Sequence, residues 1–204
     1  MATPYSERIW SEVETLSVAD QQRIQNERLQ EQIGYLAAKS EFYRAKFAEH
    51  GVDAGTIRSV ADLEGFPFTE KQELRESLAA APPLGRHIAA DRADLVQIQA
   101  SSGTTGSPSY VGLTASDITT WSEMSARALY ANGFRPGDWM LHTLGMSKGF
   151  VGGLPIWQAV TYMGILDVPI GAEAGADRLL RVQADQRPQL LIGTPNFVAY
   201  LAEQ

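Results

Sequence analysis

The sequence predicts an α/β protein: a helical N-terminal segment over residues 1–90, then a mostly parallel sheet with flanking helices over residues 91–204. Three observations predict it. Before residue 90 the chain is polar, rich in Gln and Glu, and spaces its apolar residues at a helical period. After residue 90, short apolar runs alternate with amphipathic stretches. The segments between successive runs are also long enough to hold a helix, as parallel pairing requires.

The elements follow in order. Ser17 to Ala38, with Ile24, Arg28, Ile33 and Leu36 in a roughly helical rhythm, predicts a long helix. Glu41 to His50 predicts a second, stopped by Gly51. Thr69 and Gln72 have capping-box spacing and predict a third helix running toward Leu78, broken by Ala81-Pro82-Pro83-Leu84-Gly85. Leu95 to Ala100 and Ser109 to Leu113 read as strands on either side of a Gly/Ser/Thr loop. Thr114 and Asp117 open a helix carrying Ile118, Trp121, Ser125, Ala128 and Leu129 on one face, ended by Asn132-Gly133. Beyond the turn at Arg135-Pro136-Gly137-Asp138 come a strand from Trp139 to Thr143 and a helix from Pro155 to Met163. A strand from Ile165 to Ile170, a helix from Ala174 to Gln186 and a strand from Gln189 to Thr194 complete the pattern, and Pro195 is placed to begin a further helix.

Composition narrows the function. Of 204 residues, 44% are hydrophobic and 20% charged, which suits one sizeable core. With 24 acidic and 17 basic residues the formal charge is −7, and no basic cluster offsets it, so nucleic acid is not an expected partner. The absence of cysteine removes disulfides, thiolate nucleophiles and cysteine zinc sites, and three histidines make no metal-ligand cluster. The N-terminus does not read as a signal peptide and no apolar run approaches the length of a membrane span, so the expected setting is soluble and cytoplasmic, with no membrane partner. No Ser–His–Asp arrangement stands out, and Asp20, Asp62 and Glu64 fall on helical segments where a solvated face is the default.

The most informative stretch is Ala100-Ser101-Ser102-Gly103-Thr104-Thr105-Gly106-Ser107-Pro108. It has little packing value. Its glycines permit a tight turn with amides facing outward, and its hydroxyls can donate to anionic oxygens, so phosphate is the natural guest. It is not a Walker loop, because the Gly-Lys-Ser/Thr ending is missing and a strand follows. The plain alternative is a polar hairpin of turn residues.

The order Ser-Gly-Thr-Thr-Gly-x-Pro resembles the phosphate loop of the adenylate-forming ligases, the acyl-CoA synthetase and luciferase superfamily. Further stretches resemble its phenylacetate–CoA ligase branch. They include Phe42-Tyr43-Arg44, Asp62-Leu63 with Phe66-Pro67-Phe68-Thr69, and Thr114 to Ile118 with Trp121. Arg135-Pro136-Gly137-Asp138, Gly152-Gly153-Leu154 and Thr194-Pro195 continue the series in the same order. Ser109, where many superfamily members carry lysine, fits that branch as well.

The resemblance implies an incomplete adenylate-forming ligase N-terminal domain, with both segments inside one larger domain. It implies ATP with Mg²⁺, an acyl-adenylate, and coenzyme A as acyl acceptor. Ser101, Ser102, Gly103, Thr104, Thr105 and Gly106 would hold the nucleotide phosphates. His142 to Gly153 matches the acyl-site segment in outline, with Met146, Phe150, Gly152 and Gly153 as the candidate lining for a small-molecule carboxylic acid, aromatic or arylacetic. Gly145 and Ser147 replace the tyrosines of that segment, so the pocket is not expected to copy the phenylacetate one. Lys148 is read as a solvated loop lysine, and His142 either touches substrate or is a satisfied structural histidine.

The resemblance also implies parts that this sequence does not contain: an aromatic-Gly-x-(Ser/Thr)-Glu motif, a ribose-binding Asp, and a mobile C-terminal domain with a catalytic lysine. The catalytic residues are therefore expected beyond Gln204, and the chain reads as part of a longer one. A second reading is a non-catalytic nucleotide-binding module, or a subunit completed by another chain. A third keeps adenylation but passes the acyl group to a carrier protein. The isolated piece is expected to be poorly soluble or to associate, and the N-terminal helices are candidates to pair two copies.

Overall fold

A computed structural model describes residues 2–101, 109–146 and 152–204. These fall into two compact units, one formed by residues 2–14, 99–101, 115–146 and 152–204, the other by residues 15–98 and 109–114.

In the second unit, α1 (Val18–Lys39) starts at Ser17, whose hydroxyl accepts from the Asp20 amide at 3.1 Å. Ser40 caps α2 (Glu41–Glu49) in the same way through the Tyr43 amide. The two helices enclose a small core of Ile33, Phe47 and Ile57, with Leu36, Tyr43 and Phe66 packed against it. The third helix, α3 (Lys71–Ala80), opens on a reciprocal Glu70–Glu73 capping box, not on Thr69 and Gln72. The physical reason is the stronger acceptor: the Glu73 carboxylate takes the Glu70 amide at 2.6 Å and is itself held by Lys46. Strands β1 (Leu95–Ala100) and β2 (Tyr110–Thr114) form a two-stranded sheet. Gly112 lies where a Cβ would come within 2.8 Å of a Leu95 methyl, so a larger residue there would have to displace that side chain.

The first unit holds a parallel sheet of three strands, β3 (Trp139–His142), β4 (Leu166–Pro169) and β5 (Leu190–Ile192), in the order β4-β3-β5. Trp139 pairs with Leu166 and Met140 with Leu190. Successive residues of β3 face opposite sides. Met140 enters a core with Ala126 and Tyr130 of α4 (Ala115–Ala131) and Val160 and Met163 of α5 (Leu154–Met163). Leu141 enters another with Leu179 and Val182 of α6 (Ala176–Gln186) and Leu201 of α7 (Pro195–Ala202). The sheet is thus covered on both faces, as its apolar strands require.

The N-terminal arm contributes to the first of these cores. Trp10 is buried, donates its indole N–H to Glu123 at 2.9 Å, and lies 5.7 Å from the Tyr130 ring and 6.1 Å from that of Tyr162. Tyr130 donates to the Ser6 carbonyl at 2.8 Å, which closes the arm onto α4. Burial raises the Glu123 pKa, but the donors Trp10, Tyr162 and Arg127 outweigh it and hold the carboxyl below its usual range.

Candidate functional site

Strand β3 is central in its sheet, and ligands of open α/β sheets sit beyond the carboxyl ends of such strands. The chain there is tightly fixed. The amide and the hydroxyl of Thr143 both donate to the Ile192 carbonyl, at 2.9 and 2.8 Å. The Gly171 amide donates to the His142 carbonyl at 3.0 Å. Three strand ends are thereby tied together.

Just beyond lies the predicted acyl-site segment. The Met146 amide donates to Glu173 at 2.8 Å, which holds this turn of backbone by a carboxylate from the segment after β4. Gly152 is half-buried, and Gly153 is buried at the N-cap of α5. A Cβ on Gly153 would fall within 2.1 Å of the Gly145 carbonyl oxygen and 2.8 Å of its carbon. Two backbone stretches, 145–146 and 152–153, therefore touch without side chains between them. This gives the expected glycine pair a physical cause: close backbone approach, with φ at an ordinary −92°.

The structure brings together Met146, Gly152 and Gly153 of the predicted site. Phe150, Ser147 and Lys148 lie outside the described residues, as do Ser102, Gly103, Thr104, Thr105 and Gly106. Ser101 is described, half-buried directly after β1, and Ser109 stands directly before β2, so the predicted loop joins two strands that pair. Its far end is anchored at Tyr110, whose backbone hydrogen-bonds the His87 ring. Nδ1 of His87 bonds the Ser77 hydroxyl at 2.9 Å. Burial lowers the pKa of His87, and this bonding fits a neutral imidazole.

His142 does not fit the reading as a satisfied structural histidine. Its side chain has no exposure, and its Nδ1 lies 3.4 Å from an Asp167 oxygen whose side chain is 3% exposed. Neither ring nitrogen and neither Asp167 oxygen has a hydrogen-bond partner among the described residues. Sequence reasoning missed both acids of this region. Glu173 carried no signal. Asp167 did, as the single charge inside the apolar run Ile165-Leu166-Asp167-Val168-Pro169-Ile170. Among the described residues no group of three His, Asp or Glu is placed to hold a metal, and no helix is long and apolar enough to cross a membrane.

No family model matches this chain. Curated relatives do. A phenylacetate-coenzyme A ligase of Thermus thermophilus is 36% identical over 95% of this chain, and one of Pseudomonas putida is 32% identical over 94%. The chain spans 42% of the length of each of these relatives. A 2-hydroxyisobutyryl-CoA ligase, solved with 2-HIB-AMP and CoA, superposes on all of the chain and 43% of its own, with a TM-score of 0.91 at 29% identity. Sequence and fold together place the chain in the phenylacetate–CoA ligase-like branch of the adenylate-forming ligases, as kin of their N-terminal portion.

Proposed function

We propose that the protein carrying this chain is an ATP-dependent acid–CoA ligase acting on an aromatic or arylacetic acid. A carboxylate oxygen attacks the ATP α-phosphorus, forming the acyl–phosphate bond of an acyl-adenylate as the bond to pyrophosphate breaks. The coenzyme A sulfur then attacks the acyl carbon, and AMP leaves. Mg²⁺ enters as part of the nucleotide substrate.

The observation that carries this reading is the direct backbone contact of Gly145 with Gly153 beyond the central strand. It brings two backbone stretches together with no side chain of Gly153 between them, and we read this shelf as the floor for a flat acyl group, in a segment whose sequence resembles the family's acyl site. Met146 would line the shelf, and Phe150 is assigned to the acyl site by the resemblance alone. Ser101 to Gly106 would donate amides and hydroxyls to the phosphates, stabilising charge on the departing pyrophosphate. The likeness to CoA ligases in sequence and fold supports the same reading.

Acid-dependent ATP–pyrophosphate exchange by the protein as its gene encodes it tests the first half-reaction. CoA-dependent release of AMP tests the second. Exchange without CoA-dependent turnover would favour a carrier protein as acceptor. No exchange with any aryl, arylacetic or short aliphatic acid would leave the non-catalytic reading standing.

A further inference from the structure

Four polar atoms of His142 and Asp167 are buried without a hydrogen-bond partner among the described residues. Folded proteins rarely leave such atoms unpaired, because each costs about 1–3 kcal/mol. A histidine–carboxylate pair serving only the fold would be aligned and satisfied. Here the 3.4 Å separation lies within ion-pair range but lacks hydrogen-bond alignment.

Its position is specific. His142 is the last residue of the central strand, three residues before Gly145 of the glycine shelf, and its own carbonyl is fixed by the Gly171 amide. By strand alternation it lies on the same side of β3 as Met140, whose surroundings are apolar. In register, Asp167 sits opposite Met140 on the neighbouring strand. One buried polar pair thus stands among apolar side chains at the carboxyl end of the sheet. We propose that His142, oriented by Asp167, is a specificity-determining residue that hydrogen-bonds a hydroxyl on the acyl group, so that the acid is a hydroxylated aryl or arylacetic acid.

The chemistry selects a hydroxyl. A carboxylate beside Nδ1 keeps the ring proton there and leaves Nε2 as an acceptor. A hydroxyl can donate to that nitrogen. An unsubstituted aryl ring cannot and leaves the pair unpaired. Sites built to bond a substrate hydroxyl discriminate strongly against the analogue that lacks it.

This inference rests on the acid–CoA ligase reading, and one experiment separates their failures. Acid-dependent ATP–pyrophosphate exchange is measured with matched acids: 4-hydroxyphenylacetate and phenylacetate, 4-hydroxybenzoate and benzoate, and a short 2-hydroxy acid with its deoxy counterpart. The gene's full product is used, as wild type and as His142→Leu, His142→Gln and Asp167→Asn. The ratio of kcat/KM within a pair is read, which a general loss of folded enzyme does not move. The wild type is expected to favour one hydroxylated aryl acid by about 100-fold or more. His142→Leu brings that ratio to near one, His142→Gln keeps part of it, and Asp167→Asn lowers it. If His142→Leu does not fold, His142→Gln and Asp167→Asn still give the ratio. A ratio near one in the wild type, or one that His142→Leu leaves unchanged, overturns the hydroxyl assignment while the ligase reading stands. Preference for the short hydroxy acid, lost in His142→Leu, keeps the hydroxyl assignment and overturns the aromatic one. No exchange with any acid removes the ligase reading and the inference with it.

Discussion

Among the described residues, two acid–base pairs have buried members, and they are built in opposite ways. Lys46 is 6% exposed and its Nζ is fully engaged, donating to both Glu73 oxygens at 2.6 and 2.7 Å and to the Phe68 carbonyl. Glu73 in turn caps α3 and is 37% exposed at its rim. Every donor has a job within the fold. His142 and Asp167 are deeper, yet beyond their 3.4 Å approach to each other none of their side-chain polar atoms has a hydrogen-bond partner among the described residues. The first pair joins α2 to the start of α3, while the second stands at the end of a central strand. The contrast teaches that burial alone says little about role. Satisfaction separates a pair that holds structure from one that waits for a ligand.

The largest expected effect lies at the shelf near the unsatisfied pair. Gly153→Ala drives a methyl group into the Gly145 backbone, so one stretch must move away from the other. Displacement of about 1 Å beside a reacting group can cost on the order of 100-fold, so acid-dependent exchange should fall by at least that factor. An alanine variant with wild-type rates would break the proposed role of the shelf.

Next comes the satisfied pair. Lys46→Met strands the Phe68 carbonyl and removes the charge-assisted bonds, and should cost about 2–3 kcal/mol in a urea melt. Substrate preference should not change. By contrast, replacing His142 and Asp167 together by Leu removes buried polar atoms with nothing to satisfy them. Folding stability should stay within about 1 kcal/mol of wild type or rise, while hydroxyl discrimination disappears. If both replacements destabilise equally, the contrast between the pairs collapses.

Smaller effects follow from pH. The hydrogen bond from Lys46, followed by the Glu70 amide, lowers the Glu73 pKa. A depressed carboxyl pKa contributes stability that is present above its unfolded value and is lost as pH falls through the folded value. The Lys46 contribution should therefore fade only in acid, below about pH 4.3. His87 has a depressed pKa through burial, so its contribution is present above the unfolded value and is lost as pH falls below about 6.5. Because the ring is partly exposed, this should be the smallest change. Melting curves recorded from pH 8 to pH 5, with and without His87→Asn, read it directly.

Much of the architecture was legible in the residues, for physical reasons. The parallel strands announced themselves by apolar runs separated by helix-length connections, and α4 to α7 began within about two residues of their expected starts. Gly152 and Gly153 were singled out by the resemblance to the family's acyl-site segment, and the close backbone approach at Gly153 is a feature of the fold that the sequence pattern does not show. Other features were not legible. The N-terminal arm has no periodicity, and Trp10 finds its place only through partners more than a hundred residues away. The capping box slipped from Thr69 to Glu70 because Lys46, distant in sequence, strengthened Glu73 as an acceptor. Asp167 showed as a charge in an apolar strand, but its partner was set by parallel register, which no local pattern encodes.

The measurement that tests the central claim most directly is binding of a non-hydrolysable acyl-adenylate mimic, an acylsulfamoyl adenosine carrying an arylacetyl group, by calorimetry. Saturable binding is expected at a single site, weakening sharply when the acyl group is removed and in Gly153→Ala. Binding unaffected by either change, or no binding while the protein is folded, would contradict it.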